Sequence, residues 1–357
     1  MAAKAEKDPK TGKWLVQYRY TDWQGNRKKS TKRGFNTKRE AEEWLRNFLV
    51  TQQADLNMLF EDFLKIYYAD MEPRLREHTM RTKKYIIDLK VLPFFGKLKM
   101  NEIKAADIRK WQNELMQQDY AETYLRTIHN QVSSLFNYAV NYLNLPNNPC
   151  RKAGSIGKKQ AEEMQFWIKD EFDKFLDAVM NKRQSYMAFM TLFWTGMRLG
   201  ELLALTVGDV EFEKRTVSIT KSYQRISGRD VITEPKTPKS KRVITIPKFL
   251  AIDLQDYIGS MYGAQKKDKL LSVTKYYLEH EMQRGIKESG VKHIRLHDLR
   301  HSHASMLVEM GFSPLEIANR LGHEKIETTL NTYSHLYPDK QGKLADRLDT
   351  EYQKGLK

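Results

Sequence analysis

The spacing of apolar residues changes along the chain, and these changes limit it to a fold with several domains. Near the N-terminus, GKWLVQYRY alternates apolar and polar residues, which is typical of a strand with one packed face. From about residue 55 to 150 apolar residues recur at helical spacing, and beyond 165 helices flank a strand-rich stretch at 216–247. The length of 357 residues exceeds one ordinary domain. We therefore expect an α+β multidomain fold.

The boundaries of the expected domains follow these changes. Residues 1–53 are expected to form a small β-sheet with one helix behind it, and residues 54–150 an all-α domain. Residues 151–164 hold two glycines, several basic residues and few apolar ones, which is typical of a linker. Residues 165–357 are expected to form a mainly α domain with a small antiparallel sheet and a C-terminal tail.

The charge of the chain favours a polyanionic partner. There are 61 Lys and Arg against 45 Asp and Glu, a formal net charge of +16, and residues 1–50 hold 13 of the basic and 6 of the acidic residues. A solvated charged surface would explain the excess, but its concentration near the N-terminus favours nucleic acid. Eight residues are candidates for DNA contact: Arg19, Arg27, Lys28, Lys29, Lys32, Arg33, Lys158 and Lys159.

The composition argues against several other classes of protein. Cys150 is the only cysteine, which excludes an internal disulfide and a zinc-finger cluster. No stretch approaches the roughly 18 apolar residues needed to span a bilayer. The N-terminal sequence MAAKAEKDPK lacks the apolar segment of a signal peptide. We expect a cytoplasmic protein with no membrane partner.

A first candidate for chemistry is Arg198 in WTGMRLGELLAL. It lies beside two glycines just before an apolar helical run, and an arginine in such a setting needs an anionic partner. The simpler interpretation is an ion pair with Glu201, one helical turn away.

A second candidate is Lys236 in ITEPKTPKSKRVITIP. The pattern predicts two strands joined as a hairpin by a turn rich in lysine, proline and serine. A lysine at such a tip is usually only solvated, but it could reach a substrate and donate a proton. Lys239 and Lys241 are close enough in sequence to compete for this role.

Histidines cluster in LHDLRHSHASML. His297 and Arg300 have i,i+3 spacing and share a face of a predicted helix. His297, His301 and His303 could alternatively bind a metal, since histidines at helical spacing can hold zinc, but no carboxylate ligand stands out nearby.

The segment SPLEIANRLGHEKIETTLNTYSH predicts two helices joined at Gly322. It contains His323 and, ten positions later, Tyr333. One interpretation is a helix–turn–helix regulator without chemistry, in which Tyr333 packs or touches a phosphate. The other is an enzyme in which Tyr333 or Tyr337 is a nucleophile.

Taken together, these residue types suit the breaking and rejoining of a phosphodiester. Arginines bind phosphate oxygens that gain charge, and histidines donate to those oxygens or move protons. A lysine can protonate a leaving alkoxide, and a phenol can attack phosphorus and leave again. No metal or cofactor is required, because the protein supplies the cations. The candidate set is Arg198, Lys236, His297, Arg300, His323 and Tyr333.

This order of motifs resembles the tyrosine recombinase (phage integrase) family. The matching pieces are TGMRLGEL, the Lys236 segment, LHDLRHSHAS, LGHEKIETT and NTYSH. The spacing from His323 to Tyr333 fits the family pattern, whereas that to Tyr337 does not, so the resemblance implies that Tyr333 is the nucleophile. Residues 1–53 look like the arm-type DNA-binding domain of phage and integrative-element integrases, and residues 54–150 like their core-binding domain.

The resemblance also implies a mechanism and partners. Four protomers would assemble on double-stranded DNA attachment sites, and Tyr333 would form a 3′-phosphotyrosine that integrates or excises a mobile element. A DNA-bending host protein and an excisionase are expected by analogy, in the nucleoid of a bacterial host. A type IB topoisomerase or a resolvase would share this chemistry, and the helix–turn–helix regulator is the non-catalytic alternative.

The C-terminal tail carries a short apolar stripe. Leu344, Leu348 and Tyr352 recur every four residues, and such a short stripe must be buried against a surface. Packing within the same protomer is one possibility. The resemblance favours packing against a neighbouring protomer.

Overall fold

The computed structural model describes residues 5–9, 11–21, 27–51, 56–158, 164–235 and 237–336, together with Leu348, Thr350 and Tyr352. The chain divides into two compact units, residues 1–162 and 163–357. The described part is mostly helical with small antiparallel sheets, as the sequence predicts. No helix within it is long and apolar enough to cross a membrane.

The first unit begins with a three-stranded antiparallel sheet. Its strands β1 (Ala5–Lys7), β2 (Trp14–Thr21) and β3 (Arg27–Phe35) lie in the order β1-β2-β3. Helix α1 (Lys38–Thr51) follows and packs on one face of the sheet. A side-chain hydrogen bond caps the start of this helix, because Thr37 Oγ1 accepts from the Glu40 N–H at 3.1 Å.

Six helices complete the first unit. They are α2 (Phe60–Met71), α3 (Glu77–Lys90), α4 (Leu92–Phe95), α5 (Ala105–Met116), α6 (Glu122–Tyr142) and α7 (Pro149–Ala153). Their shared core contains the apolar face of α6, with Ile128, Val132 and Phe136 fully buried. Part of the predicted linker also belongs to this core, since Ala153 and Ile156 are buried in it. The reason is that Asn148 caps α7, accepting from the Cys150 N–H at 2.8 Å, so the chain continues as a packed turn of helix.

The second unit contains eight helices and five strands in its described residues. The helices are α8 (Lys169–Val179), α9 (Arg183–Thr195), α10 (Leu199–Leu202), α11 (Lys248–Gly259), α12 (Lys275–Ser289), α13 (Asp298–Glu309), α14 (Pro314–Leu321) and α15 (Ile326–Tyr333). The strands are β4 (Val210–Glu211), β5 (Thr216–Ile219), β6 (Ser222–Ile226), β7 (Arg229–Thr233) and β8 (Arg242–Thr245).

The hairpin predicted around Lys236 is wrong. β7 pairs with β6 and β8 pairs with β5, so the two strands that flank Lys236 lie in different sheets, ordered β6-β7 and β4-β5-β8. A single 3₁₀ turn (Pro238–Ser240) leads into β8. The local pattern identified both strands but not their partners, because strand pairing depends on residues distant in sequence.

Helix α9 forms the centre of the second core. Phe193 stacks on Phe172 with ring centroids 3.8 Å apart, and most of its other side chains are buried. The helix ends at Gly196, whose φ of +64° is the left-handed conformation that favours glycine. This ending turns the chain sharply and places Arg198 at the start of α10.

Candidate active site

Arg198 lies at the N-terminus of α10 and pairs with Glu201. Its backbone N–H donates to Glu201 Oε2 at 2.9 Å and its Nη1 donates to Oε1 at 2.9 Å. The ion pair expected from the simpler interpretation is therefore present. It still leaves the arginine side chain 39% exposed, whereas that of Glu201 is 3% exposed. Glu201 therefore fixes the position of the Arg198 guanidinium group, while the side chain stays partly accessible to solvent.

Glu201 also binds Arg242, which the sequence analysis did not single out. Arg242 Nη2 donates to Glu201 Oε2 at 2.9 Å, and its Nε donates to the Arg320 carbonyl at 2.9 Å. Burial alone would raise the pKa of Glu201, but the hydrogen bond and charge of Arg242, with those of Arg198, lower it. Glu201 therefore stays ionised and links the start of α10 to β8.

Arg300 is buried in α13 and is held by two backbone carbonyls. Its Nη1 donates to the Gly196 carbonyl and its Nη2 to the Leu321 carbonyl, both at 2.8 Å. Burial, followed by the positive charge of Arg198, lowers its pKa to about 9, so it remains a cation at neutral pH. A buried cation whose hydrogen-bond partners are neutral carbonyls is stabilised when an anion enters beside it.

His297 and His301 lie one turn apart at the start of α13. Their rings meet edge to face, with centroids 5.2 Å apart. Desolvation lowers the pKa of both histidines, to about 4 for His301, and the charge of Arg300 lowers that of His297 further. Both rings are therefore neutral at pH 7, and each can donate through one nitrogen and accept through the other.

His323 follows the turn at Gly322, whose φ is +71°. Its Nδ1 lies 2.7 Å from Oγ1 of Thr329, a fully buried residue of α15. Burial, followed by the charges of Arg300 and Arg198, lowers the pKa of His323 to about 3. The charges of the same two arginines lower the pKa of His297 as well, so His323 and His297 belong to one cluster.

Tyr333 is the last residue of α15 and is 1% exposed. Its ring packs in a small apolar cluster with Val308, Ile317 and Leu321. Its hydroxyl lies 2.8 Å from His301 Nδ1. Burial raises the pKa of the phenol to about 12, although the charge of Arg300 opposes this effect. Tyr333 is thus both a packed residue and a member of the polar cluster.

The structure thus brings five of the six predicted residues into one electrostatically coupled cluster: Arg198, His297, Arg300, His323 and Tyr333. Lys236, the sixth, lies outside the described residues, as does Tyr337. Of the lysines that compete with Lys236, Lys241 pairs with Glu234 at 2.9 Å on the surface.

The structure places two of the three candidate metal-binding histidines in other hydrogen bonds. His301 faces Tyr333, and His303 is buried with Arg320 Nε donating to its Nε2 at 2.9 Å. Within the described ranges, no group of three or more histidine, cysteine, aspartate or glutamate residues could hold a metal ion.

Sequence reasoning missed the contact of His301 with Tyr333, the bond from Arg242 to Glu201 and the role of Arg320. A signal existed for His301, because its i,i+4 spacing from His297 puts it on the same helical face. Arg242 and Arg320 had no such signal, since their partners are more than fifteen residues away in the chain.

The N-terminal sheet carries the other predicted contacts. Cross-strand pairs share a face, and Arg19 is paired with Lys29. Val16 faces α1, and side chains alternate between the two faces along a strand. Arg19 is three positions after Val16, so Arg19 and its partner Lys29 lie on the face that points away from α1. The register puts Arg27 and Arg33 on the same outer face, and Lys28 and Lys32 on the helix side.

Two of these outer and linker residues have acidic partners. Arg33 Nη1 pairs with the buried Asp8 at 3.2 Å, and Lys158 pairs with Glu122 at 3.0 Å. Lys159 lies outside the described residues.

Models of three protein families match the chain. The phage integrase family matches residues 165–340, the phage integrase N-terminal SAM-like domain matches residues 59–116, and the Arm DNA-binding domain matches residues 5–52.

Full-length relatives agree with these matches. The ICEBs1 integrase of Bacillus subtilis (strain 168) is 30% identical over 306 residues, covering 81% of this chain and 82% of the relative. The transposase from transposon Tn916 of Enterococcus faecalis is 24% identical over 319 residues, covering 79% of this chain and 75% of the relative.

Solved structures agree with the fold. An integrase of the Tn1549 transposon in complex with a circular intermediate DNA superposes with a TM-score of 0.69 at 19% identity, covering 82% of this chain and 99% of that one. A lambda integrase tetramer bound to a Holliday junction gives a TM-score of 0.59 at 15% identity, covering 94% of this chain and 93% of that one.

Proposed function

The chain belongs to the phage integrase family, and from this premise we propose that it cuts and rejoins DNA through a 3′-phosphotyrosine on Tyr333. It is a tyrosine-type site-specific recombinase of the kind encoded by mobile elements. The observation that carries the proposal is one buried phenol, hydrogen-bonded to His301, in the same cluster as the buried cation of Arg300 and the partly exposed guanidinium group of Arg198.

The two arginines bind the scissile phosphate. Arg300 is held by carbonyls on two sides, and Arg198 is anchored by Glu201, so both guanidinium groups are oriented before DNA arrives. Preorganised donors of this kind stabilise the charge that develops on the non-bridging oxygens, and this effect is worth several kcal/mol, roughly 3–4 per donor.

The neutral histidines donate hydrogen bonds to the same oxygens. When Nδ1 of His323 accepts from the Thr329 hydroxyl, its Nε2 carries the hydrogen and points a donor into the cluster. His297 is the more open to solvent of the two and can donate to the other oxygen. Neutral donors suit this role, since the low pKa of His323 keeps it from being an acid at pH 7.

The reaction proceeds by two transesterifications. The Tyr333 oxygen bonds to phosphorus while the bond from phosphorus to the 5′ oxygen breaks, and Lys236 protonates the leaving 5′ oxygen. The 5′-hydroxyl of a partner duplex then attacks the phosphotyrosine and releases Tyr333. Each step exchanges one phosphoester for another, so the reaction needs neither ATP nor any cofactor.

We assign the remaining parts of the chain to DNA binding and assembly. Residues 1–53 bind arm-type sites through the outer face of the sheet, and residues 54–150 bind the core site, with 151–164 connecting them to the catalytic domain at 165–357. Support comes from the matches to an Arm DNA-binding domain and a SAM-like domain. Four protomers assemble on two attachment sites, aided by a DNA-bending host protein and an excisionase, in the nucleoid of a bacterial host.

The C-terminal tail holds a neighbouring protomer in this assembly. Leu348 and Tyr352 have exposed fractions of 63% and 71%, so each offers apolar surface that a partner could cover. Leu344, the third member of the predicted stripe, lies outside the described residues.

The proposal is tested with Tyr333→Phe, using Tyr337→Phe as the matched control. A nicked suicide substrate traps the covalent complex, which is counted on a denaturing gel. Tyr333→Phe should bind DNA as wild type does and form no adduct, because only the phenolic oxygen is lost. Tyr337→Phe should form the adduct normally. An adduct of wild-type intensity with Tyr333→Phe would refute the assignment, and its loss with Tyr337→Phe alone would move the nucleophile to Tyr337.

A further inference from the structure

His301 is the described residue that touches the attacking oxygen. Its Nδ1 lies 2.8 Å from the Tyr333 hydroxyl, and the planes of the two rings are inclined at 57°. Within the described ranges, no other side chain forms a hydrogen bond with this hydroxyl. The contact joins α13 to α15, two helices that the sequence separates by α14 and its flanking turns.

A phenol that attacks phosphorus must lose its proton, because an oxygen that is bonded to both phosphorus and an aromatic ring has almost no basicity. We infer that His301 is the base that takes this proton. The inference rests on the proposed function, since it concerns the same nucleophile. His301 is not among the six catalytic candidates identified from the sequence.

The proposed role fixes the starting state of the pair. For His301 to take the proton, the tautomer must be the one in which Nδ1 is unprotonated and Nε2 carries the hydrogen, so that the Tyr333 hydroxyl donates across the 2.8 Å contact. Burial raises the pKa of Tyr333 to about 12 and lowers that of His301 to about 4. The proton therefore stays on the phenol in the free protein. It moves only as the new oxygen–phosphorus bond removes the basicity of the phenolic oxygen.

Bound DNA changes the electrostatic environment that controls protonation of His301. The charged and titratable groups that act on its ring are His297, Asp298 and Arg300 of α13, together with Arg295 just before the helix. The neighbouring helix α15 contributes the Tyr333 hydroxyl. His323 is also near, since a charge on His301 lowers the pKa of His323. His297, Arg300 and Arg295 disfavour an imidazolium at this position. A phosphate anion bound between them partly cancels that field and makes protonation of His301 easier.

The step balances in both directions. In cleavage, the bond from Tyr333 Oη to phosphorus forms, the bond from phosphorus to the 5′ oxygen breaks, and the phenolic proton passes to His301 Nδ1. In rejoining, the incoming 5′-hydroxyl gives its proton to Lys236 as its oxygen bonds to phosphorus, the bond from phosphorus to Tyr333 Oη breaks, and His301 returns the proton to the phenolic oxygen. His301 ends the cycle neutral, so the histidine acts as base in the first half and as acid in the second.

The other histidines of the cluster have different contacts. His323 Nδ1 faces Thr329, and the His297 ring meets the edge of His301 rather than the phenol. Nε2 of His303 already accepts a hydrogen bond from Arg320. The proton acceptor is therefore assigned to His301 alone.

His301→Asn separates proton transfer from positioning. Asparagine places an amide oxygen near the position of Nδ1, so it can accept the phenolic hydrogen bond but cannot take up the proton. The full-length variant is mixed with the nicked substrate, and the single-turnover rate of adduct formation is measured. His280→Asn is the matched control, because His280 is a 70% exposed histidine on α12.

We expect the cleavage rate of His301→Asn to fall by about 10²-fold or more, the usual contribution of a general base, while DNA binding and melting temperature stay near wild type. A substrate with a 5′-bridging sulfur, whose leaving group needs no proton, should not restore this rate. It should restore the rate of Lys236→Ala, whose proposed defect is in the acid.

A second variant covers the case in which His301→Asn folds poorly. A ring-fluorinated tyrosine incorporated at position 333 is a stronger acid and needs less help from a base. It should reduce the rate difference between the wild-type His301 background and a His301→Gln background. An unchanged difference would show that His301 acts through the structure and would overturn the inference.

The outcomes separate this inference from the proposed function. If wild-type protein forms no adduct, or if Tyr333→Phe forms one, the proposed function fails. If wild type forms the adduct and His301→Asn forms it at a similar or higher rate, or is rescued by the sulfur substrate, only the role of His301 fails.

Discussion

The Nε atom of Arg320 donates a hydrogen bond to Nε2 of His303 at 2.9 Å inside the second unit. The same guanidinium group donates to the carbonyls of Thr245 and Trp194, so it ties α14 to β8 and α9. His303 can accept this bond only as a neutral ring. Burial, followed by the charge of Arg320, lowers its pKa to about 3.

Mild acid should therefore destabilise the second unit through His303. The folded pKa lies below the value of about 6.5 in an unfolded chain, so the unfolded state binds the extra proton and stability falls as the pH drops below 6.5. At pH 5 the loss should be about 2 kcal/mol in the free energy of unfolding. Urea titrations at pH 7.5 and pH 5 measure it. This window lies above the range in which carboxylates take up protons.

His303→Gln provides the comparison for this prediction. Its amide oxygen can still accept from Arg320 but does not titrate, so the variant should be less stable at pH 7.5 and less sensitive to acid. If wild type and variant lose the same free energy between the two pH values, other groups such as His301 and His323 cause the effect.

Gly196→Ala should destabilise the fold by about 2–4 kcal/mol. A Cβ atom there would lie 2.6 Å from His303 Cδ2 and 2.8 Å from Leu321 Cδ2, and the left-handed backbone adds its own cost. Gly290→Ala is the matched control, because Gly290 also ends a helix with φ +70° but a Cβ added to it would have no atom within 4 Å. It should cost only about 1 kcal/mol. Equal losses in urea unfolding would show that backbone conformation alone matters.

Arg198→Ala should mainly slow cleavage and Arg242→Ala should mainly lower stability, although both arginines bind Glu201. Arg198→Ala removes an exposed donor and leaves Glu201 paired with Arg242, so cleavage should slow about 10²–10³-fold with little loss of stability. Arg242 is 7% exposed, and Arg242→Ala should cost about 3–5 kcal/mol because it breaks a buried pair. Adduct formation and melting curves on both variants decide the matter. Similar losses of stability would contradict this division of roles.

The outer face of the N-terminal sheet should contribute to DNA binding more than the helix side. Arg19→Gln with Lys29→Gln removes two charges from the outer face, and Lys28→Gln with Lys32→Gln removes two from the other. If both outer residues contact phosphates, the first double variant should reduce the dependence of log K on log salt by about 2. The second should change it much less. Equal effects would indicate that only the total charge of this unit matters.

The sequence predicted local features of this chain well. The helical spacing of apolar residues between about 55 and 150, which includes α6, and the pairing of Arg198 with Glu201 depend on separations of three or four residues, which a helix converts directly into contacts. The fold class follows from the same spacings. The choice of Tyr333 as the proposed nucleophile required the family pattern, since nothing local distinguishes Tyr333 from Tyr337.

Contacts between distant segments could not be predicted in this way. The separation of β7 and β8 into two sheets, the bond from Arg242 to Glu201 and the bond from Arg320 to His303 all depend on which elements meet in the folded chain. The packed turn at α7 was missed for another reason. Its composition resembles a linker, but a cap at Asn148 and the buried Ile156 hold it to the core.

The order in which the site is built along the chain has a consequence for synthesis. Arg198 and Arg300 come before α15 in the chain, whereas α15 ends in Tyr333, the proposed nucleophile. During synthesis, the arginines proposed to bind the phosphate are therefore made before the tyrosine proposed to attack it. If Tyr333 is the nucleophile, a polypeptide that stopped between α14 and α15 would carry both arginines and yet be unable to break a strand.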